Sequence, residues 1–462
     1  MPNDAFVSPD QIRARFSQAL SAMYRAEVPL YGELLELVAT LNRQTLANNP
    51  QLAEQLRQAG ELQRLSEERH GAIRLGTSAE LATMARLFAV LGMQPVGYYD
   101  LASAGVPVHA TAFRPLHEDA LRKSPFRVFT SLLRLELIGD AALRQQAEQI
   151  LAGRQIFTPG ALALIARFEL QGGLTEQEAQ TFIEQALETF RWHSQAGVSA
   201  AVYQQLQAQH RLIADVVAFK GPHINHLTPR ILDIDAAQAE MPRQGMAAKE
   251  WVEGPPRRRH PILLRQTSFK ALDEAVQFSC ASPGQHSARF GEIEQRGAAL
   301  TAKGRALYDQ LLEATRERCE GVAKQDYAQH YAQTLAQCFA DFPDDLEMLR
   351  RQGLAFFRYR VTEAGQAAKA AGALAGDLEA LLKAGQLACE PLVYEDFLPV
   401  SAAGIFQSNL GDANRERYQQ DANRAEFERA LGQPVQDELA LYADYQSRSL
   451  HACATELGID FG

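Results

Sequence analysis

One short pattern occurs twice in this chain, and each copy begins with an imidazole. His70-Gly71-Ala72-Ile73-Arg74 reads H-x-x-x-R, and so does His226-Leu227-Thr228-Pro229-Arg230. Each copy is followed at a distance by an apolar run carrying an acid: Leu132 to Ile138 with Glu136, then Arg289 to Glu294 with Glu292 and Glu294. Side chains alternate along a strand with period two, so positions i and i+4 share a face. His70 therefore faces the same way as Arg74, and His226 the same way as Arg230. Glu292, Glu294 and Arg296 share another face. A curved sheet built from two such modules can set two imidazoles and a carboxylate around one metal. That donor set, with coordination positions left open, suits non-haem Fe(II) and oxygen chemistry. Arg cannot ligate, but it can hold a substrate carboxylate by a two-pronged hydrogen bond.

The pattern leaves choices open. H-x-x-x-R fixes only two residues, and a single His is more often a satisfied structural residue than a ligand. His223 stands three positions before His226 and is an alternative donor. Glu292 is as good a candidate as Glu294 by face, and the interval from Arg230 to Glu292 equals that from Arg74 to Glu136. The chain has no P-loop, no G-x-S-x-G and no H-E-x-x-H.

Composition narrows the class. The 462 residues are 46% apolar and 22% charged, an ordinary globular balance. A net charge of -10 argues against nucleic acid as partner, since phosphate binding needs clustered positive charge. Arg257-Arg258-Arg259 follows Gly254-Pro255-Pro256 and reads as a solvated loop. No run is long and apolar enough for a membrane span, and Met1 to Ala5 does not open a signal peptide. The 5 Cys lie far apart without C-x-x-C, which fits reduced thiols in a cytoplasmic protein. Oligomeric state is not legible.

The element order supports an α+β fold with two βαβββ modules. Residues 1–65 read as a helical N-terminal segment, opened by Ser8-Pro9-Asp10 and interrupted at Pro29. Residues 66–140 read as strand, helix and three strands: His70 to Leu75, Leu81 to Leu91, Val96 to Leu101, Val108 to Phe113 and Val128 to Ile138. Residues 141–218 read as a helical insert, its last helix spanning Val198 to Val217. Residues 219–297 repeat the first pattern. Asn225 to Ile234, Pro261 to Thr267, Ala275 to Cys280 and Ser287 to Glu294 are expected strands there. Residues 298–462 are helical and mixed, with a strand at Phe356 to Val361, a helix over Glu363 to Ala384, and an apolar loop from Tyr394 to Ile405 shaped for a ligand.

Four segments together resemble the 2-oxoadipate dioxygenase/decarboxylase family: ERHGAIRLGT (Glu68 to Thr77), GPHINHLTPR (Gly221 to Arg230), RFGEIEQRG (Arg289 to Gly297) and YEDFLPVSAAGIF (Tyr394 to Phe406). The resemblance covers most of the chain. It implies a vicinal-oxygen-chelate-like core and Fe(II) held by His70, His226 and Glu294. The resemblance, not the spacing, selects Glu294 over Glu292. It further implies that Arg74 grips a substrate carboxylate, with the C-terminal region completing the substrate site and the backbone at Val400 and Ser401 lining it. The implied reaction takes 2-oxoadipate and O2 to 2-hydroxyglutarate and CO2 in lysine catabolism, without a separate co-substrate. Another vicinal-oxygen-chelate metalloenzyme, of glyoxalase or extradiol type, and a non-catalytic small-molecule-binding protein are the rival readings.

Overall fold

The first H-x-x-x-R segment forms the middle of a sheet in the computed structural model, which describes residues 6–279, 282–322, 327–398 and 420–461. β1 (Arg69–Leu75) runs parallel to β4 (Arg127–Leu133) and antiparallel to β5 (Leu227–Pro229). With β2 (Gln94–Asp100) and β3 (Val108–Arg114) they make a five-stranded mixed sheet ordered β2-β3-β4-β1-β5. The helix Ser78–Val90 links β1 to β2, completing one βαβββ module. That helix starts at Ser78, ahead of the Leu81 that the apolar period suggests, because Thr77 caps it. Glu80 N donates to Thr77 Oγ1 (3.2 Å), and Thr77 N donates back to Glu80 Oε2 (3.3 Å), a reciprocal cap.

The second module repeats this order with more chain. After β5 and the helix Ile234–Arg243, an extended segment bridges antiparallel to the β6 region through Ala248–Phe269 and Glu253–Gln266. β6 (Leu264–Ser268) pairs with β9 (Glu292–Arg296). Phe269 N donates to Gly291 O (3.0 Å) and Gly297 N to Leu263 O (2.8 Å), so the two strands run antiparallel. β9 lies parallel to the chain leaving β5 at the bridge Arg230–Glu294. The order 248–253, β6, β9, β5 thus matches β2-β3-β4-β1.

Three expectations need correction. Ala275 to Cys280 does not supply a strand of this module: β7 (Asp273–Gln277) pairs with β8 (Pro283–Ser287) in a separate two-stranded sheet. Only Val276 of β7 and His286 of β8 are buried, so neither strand can sit in a sheet covered on both faces. Ser287 to Glu294 is accordingly two strands, β8 and β9. In the first module β4 stops at Leu133, and Glu136 sits on a single 3-10 turn where it pairs with Arg134 at the surface. The acid of the first module is therefore not a site residue. Cys280 lies outside the described residues.

Helices cover the sheet. Ile12, Phe16, Leu20 and Leu34 of the helices Pro9–Glu27 and Pro29–Asn48 share one core with Ile73, Leu75, Leu227 and Ile293. The opposite alternation on β1 puts Ala72 in a second core with Phe129, Leu206, Ile213 and Val217. The last three come from the insert, whose expected single helix is split into Ala200–Gln209 and Arg211–Ala218. His210 breaks it by turning extended and capping the second half, with Leu212 N donating to its Nδ1 at 3.1 Å.

The chain divides into two compact units. The first comprises residues 1–253, 266–294 and 397–436; the second comprises 254–265, 295–396 and 437–462. In the second, β10 (Phe357–Val361) and β11 (Leu387–Pro391) pair antiparallel and receive the helix Glu438–Leu457. Phe357 N donates to Gln446 Oε1 (2.7 Å) and Tyr359 N to Ser449 Oγ (3.1 Å). The helix expected over Glu363 to Ala384 is two, Glu363–Ala370 and Leu378–Lys383, parted at Gly372 with φ +63°. Among the described residues, no helix is long and apolar enough to cross a membrane.

The β1–β5 approach depends on Gly71. A Cβ there would meet Ile224 Cδ1 at 2.6 Å, His226 O at 3.0 Å and Leu227 Cδ2 at 3.1 Å. Gly71→Ala is expected to cost about 1–3 kcal/mol of stability, read as a lower urea midpoint at unchanged slope. An unchanged midpoint would mean that β5 gives way freely.

Candidate metal centre

His70 lies on β1 and His226 immediately precedes β5, its neighbour, so the sheet brings them together across the chain. In the β1–β5 register His70 opposes Thr228. Alternation then puts His70, His226 and Thr228 on one face and Gly71 and Leu227 on the other. The two imidazole rings stand 5.5 Å apart, edge to face. β9 adds Glu292 from the other side. Among the described residues, His70, His226 and Glu292 form a group whose ligand atoms all lie within 4.8 Å of one another, and all three are buried.

The carboxylate of Glu292 is unevenly served. Its Oε1 lies 3.1 Å from His70 Nε2 and 3.7 Å from His226 Nε2, and it accepts from Thr228 Oγ1 (3.0 Å) and Gln266 Nε2 (2.8 Å). Its Oε2 is buried without a hydrogen-bond partner. A fully buried carboxylate oxygen left unpaired is costly unless something else binds it. Burial pushes Glu292 up, but His226 and His70 beside it outweigh that and hold it below the usual carboxylate range, hence ionised. Burial pushes the His226 imidazole down to about 4, leaving it neutral with a lone pair to offer. Two imidazoles and one ionised carboxylate fit a divalent first-row metal.

Glu294, the carboxylate that the resemblance implies as ligand, also meets His70. It stands behind His70, with Oε2 2.9 Å from His70 Nδ1, the ring nitrogen turned away from Glu292. A carboxylate on the far nitrogen of a metal-binding His is the usual outer partner, fixing the tautomer and the ring orientation. Burial pulls the His70 pKa down, and Glu294 and Glu292 more than restore it, so that it ends raised. Glu294 continues into a buried ionic cluster. Arg127 Nη1 lies 3.5 Å from Glu294 Oε1, and Arg127 Nη2 donates to Glu68 Oε1 (2.6 Å). Glu68 also accepts from Arg64 and from Arg230.

The two Arg of the repeated pattern have separate fates. Arg230 Nη1 donates to Glu61 Oε2 (2.6 Å) and Glu68 Oε2 (3.1 Å), inside that cluster. Arg74 is buried on the His70 face of β1 and donates from Nη1 to Asp215 Oδ2 at 2.7 Å. His223, the alternative donor, is not in the three-residue group. It lies 3.7 Å from Asp215 with its ring against Trp192, and burial pushes it down to about 3. Phe397 packs edge-on against His70 at 4.9 Å and Phe290 lies against His226 at 4.7 Å, which keeps water from the rings. Val400 and Ser401 lie outside the described residues.

Sequence reasoning missed Glu68, Arg127 and Asp215. The available signal was a charge inside an apolar run: Arg127 stands in Phe126-Arg127-Val128-Phe129, and Asp215 in Ile213-Ala214-Asp215-Val216-Val217. A charge there must be paired or exposed.

The model of a family described as 2-oxoadipate dioxygenase/decarboxylase matches residues 16–409. The chain is 63% identical over 461 residues to the 2-oxoadipate dioxygenase/decarboxylase of Pseudomonas putida, covering 99% of each. It is 56% identical over 447 residues to that of Escherichia coli, covering 97% of this chain and 98% of the relative. The crystal structure of the Pseudomonas putida hydroxyglutarate synthase in complex with 2-oxoadipate matches with a TM-score of 0.92 at 62% identity, covering 99% of this chain and 100% of that one.

The two acids should separate in a metal titration. Glu294→Gln is expected to weaken metal binding by about 10- to 100-fold, as loss of an outer partner does, and Glu292→Gln by at least an order of magnitude more. The reverse ranking would return Glu294 to the inner position. In the metal-free protein, His223 and His226 stay neutral when folded but protonate near 6.5 when unfolded. Stability should therefore fall as pH drops from 6.5 toward 4, by up to about 1.4 kcal/mol per unit for each imidazole. Urea midpoints that stay level from pH 7 to 5 would mean that these rings accept protons inside the fold.

Proposed function

The chain belongs to the 2-oxoadipate dioxygenase/decarboxylase family, and from that premise we propose that it converts 2-oxoadipate and O2 to 2-hydroxyglutarate and CO2. The observation that carries this reading is the buried His70–His226–Glu292 group with its unpaired carboxylate oxygen, on the same strand face as Arg74. We assign the metal as Fe(II), held by those three residues, with Glu294 fixing His70 from behind. Bound iron supplies a Lewis-acidic, redox-active template on which a 2-oxo acid and dioxygen can meet.

The balance of the reaction needs nothing else. Cleavage of the C1–C2 bond releases CO2 and provides electrons. One oxygen atom enters the new carboxylate and the other the new hydroxyl, so no separate reductant is consumed. The protein's own part is positioning. His226 offers a neutral nitrogen because burial keeps its proton off. Thr228 and Gln266 hold Glu292 in one orientation. Phe397 and Phe290 shield the imidazoles. Arg74 grips the distal carboxylate of the diacid, and the backbone at Val400 and Ser401 lines the substrate. This activity belongs to lysine catabolism. The free thiols among the described residues (Cys319, Cys338, Cys389 and Cys453) fit the cytoplasm.

Oxygen uptake and product analysis with iron and 2-oxoadipate test the reading. One O2 consumed and one CO2 released per 2-hydroxyglutarate is the expected result. Turnover without oxygen uptake would indicate an isomerase, and tight binding without turnover a binding protein. Arg74→Ala should keep the metal and raise KM for the diacid by roughly 30-fold or more, the loss of a buried charged contact of about 2–5 kcal/mol. An unchanged KM would remove Arg74 from the substrate.

A further inference from the structure

We propose that Asp215, itself fixed by His286 and Tyr203, is a positioning residue that aims the Arg74 guanidinium at the distal carboxylate of the substrate. This rests on the assignment of Arg74 made above. A continuous line of hydrogen bonds carries the argument. Tyr203 OH donates to His286 Nδ1 (2.8 Å), His286 Nε2 donates to Asp215 Oδ1 (2.9 Å), and Asp215 Oδ2 accepts from Arg74 Nη1 (2.7 Å). All four side chains are buried, none more than 7% exposed.

Each link determines the next. Asp215 can only accept, so His286 carries its proton on Nε2 and leaves Nδ1 to accept from Tyr203. That proton meets one oxygen of Asp215. The other oxygen is left for Arg74, and a charge-assisted bond at this distance holds one end of the planar guanidinium in a single orientation. The His286 ring cannot turn away, because Trp192 stacks on it at 5.9 Å with 6° between planes and Phe219 packs at 4.7 Å. Asn225, in the orientation that satisfies its amide, accepts from Arg74 Nη1 at 2.9 Å and from His223 Nε2 at 3.0 Å, which bounds the same nitrogen from another side. A buried carboxylate without such donors would be a liability; with them it is a fixed negative point.

The origin of the three residues gives the inference its weight. Tyr203 and Asp215 come from the two insert helices, and His286 from β8 of the separate hairpin. Neither element belongs to the βαβββ pattern. Both additions to the plain two-module core thus meet at Arg74, on the His70 face of β1. The insert and the hairpin act, in this view, as a buttress that adapts the site to a dicarboxylate.

The test uses the full-length, iron-loaded protein and two substrates, 2-oxoadipate and the monoacid 2-oxohexanoate, which lacks the distal carboxylate. Asp215→Asn is expected to raise KM for 2-oxoadipate about tenfold or more, the scale of one charged hydrogen bond, with kcat changed far less. The preference for the diacid over the monoacid should fall about as much, in the direction set by Arg74→Ala, while iron affinity holds. His286→Leu should follow Asp215→Asn. His286→Gln, which keeps an N–H near Nε2, should recover most of the loss, and Tyr203→Phe should produce a smaller one. If Arg74→Ala erases the diacid preference and Asp215→Asn and His286→Leu leave it intact, the positioning role is overturned and the function stands. If Arg74→Ala itself leaves the preference intact, the assignment of Arg74 fails first. Equal losses on both substrates, or loss of iron, in the Asp215 and His286 variants would make the relay a stability element only and overturn the proposal.

Discussion

Two strands far apart in the chain lie side by side, and everything at the site follows from that pairing. β1 and β5 run antiparallel with His70 opposite Thr228 and Gly71 opposite Leu227. The pairing adds a strand of the second module to the sheet of the first. It also turns His70 and His226 to the same face with their rings 5.5 Å apart. The approach is close because Gly71 has no side chain to hold β5 off. Shifting the register by one residue would send both imidazoles into the apolar core and bring Gly71 and Leu227 to the site.

The repeat is symmetric in sequence and asymmetric in use. Each module offers a His and an Arg, yet the acid comes only from the second, on β9. Arg230 is absorbed by Glu61 and Glu68, whereas Arg74 meets Asp215. Glu68, Arg127, Arg64, Arg230 and Glu294 form a buried ionic cluster beneath the metal group. Burying that many charges is expensive unless each has partners. Here the cluster ends on His70 Nδ1 through Glu294, so the cost is met where it orients a donor. The two ends of β1 therefore have separate supports: the ionic cluster under His70, and the Asp215–His286–Tyr203 line beside Arg74.

Much of this was legible before the structure. The cap at Ser8 places its helix as expected, because a cap is a local exchange of hydrogen bonds among neighbours in sequence. The apolar alternation of β1 to β4 likewise identifies a module. The single long helix expected at Val198 to Val217 failed at His210, where a side-chain cap competes with the helix. The hairpin β7–β8 was mistaken for core strands because its short length hides that only one residue in each strand is buried.

The sequence by itself determined the two modules, the face shared by His70 and Arg74, and a short list of donors. Those depend on periodicity, and periodicity is written residue by residue. Only the tertiary structure showed that Glu292 and Glu294 meet opposite nitrogens of His70, and only it joined Arg74 to Asp215 of the insert. Two acids on one strand face look alike along the chain; which nitrogen of His70 each one meets depends on how far β9 slides past β5. That offset is set by packing between segments hundreds of positions apart, for which no local pattern carries a record.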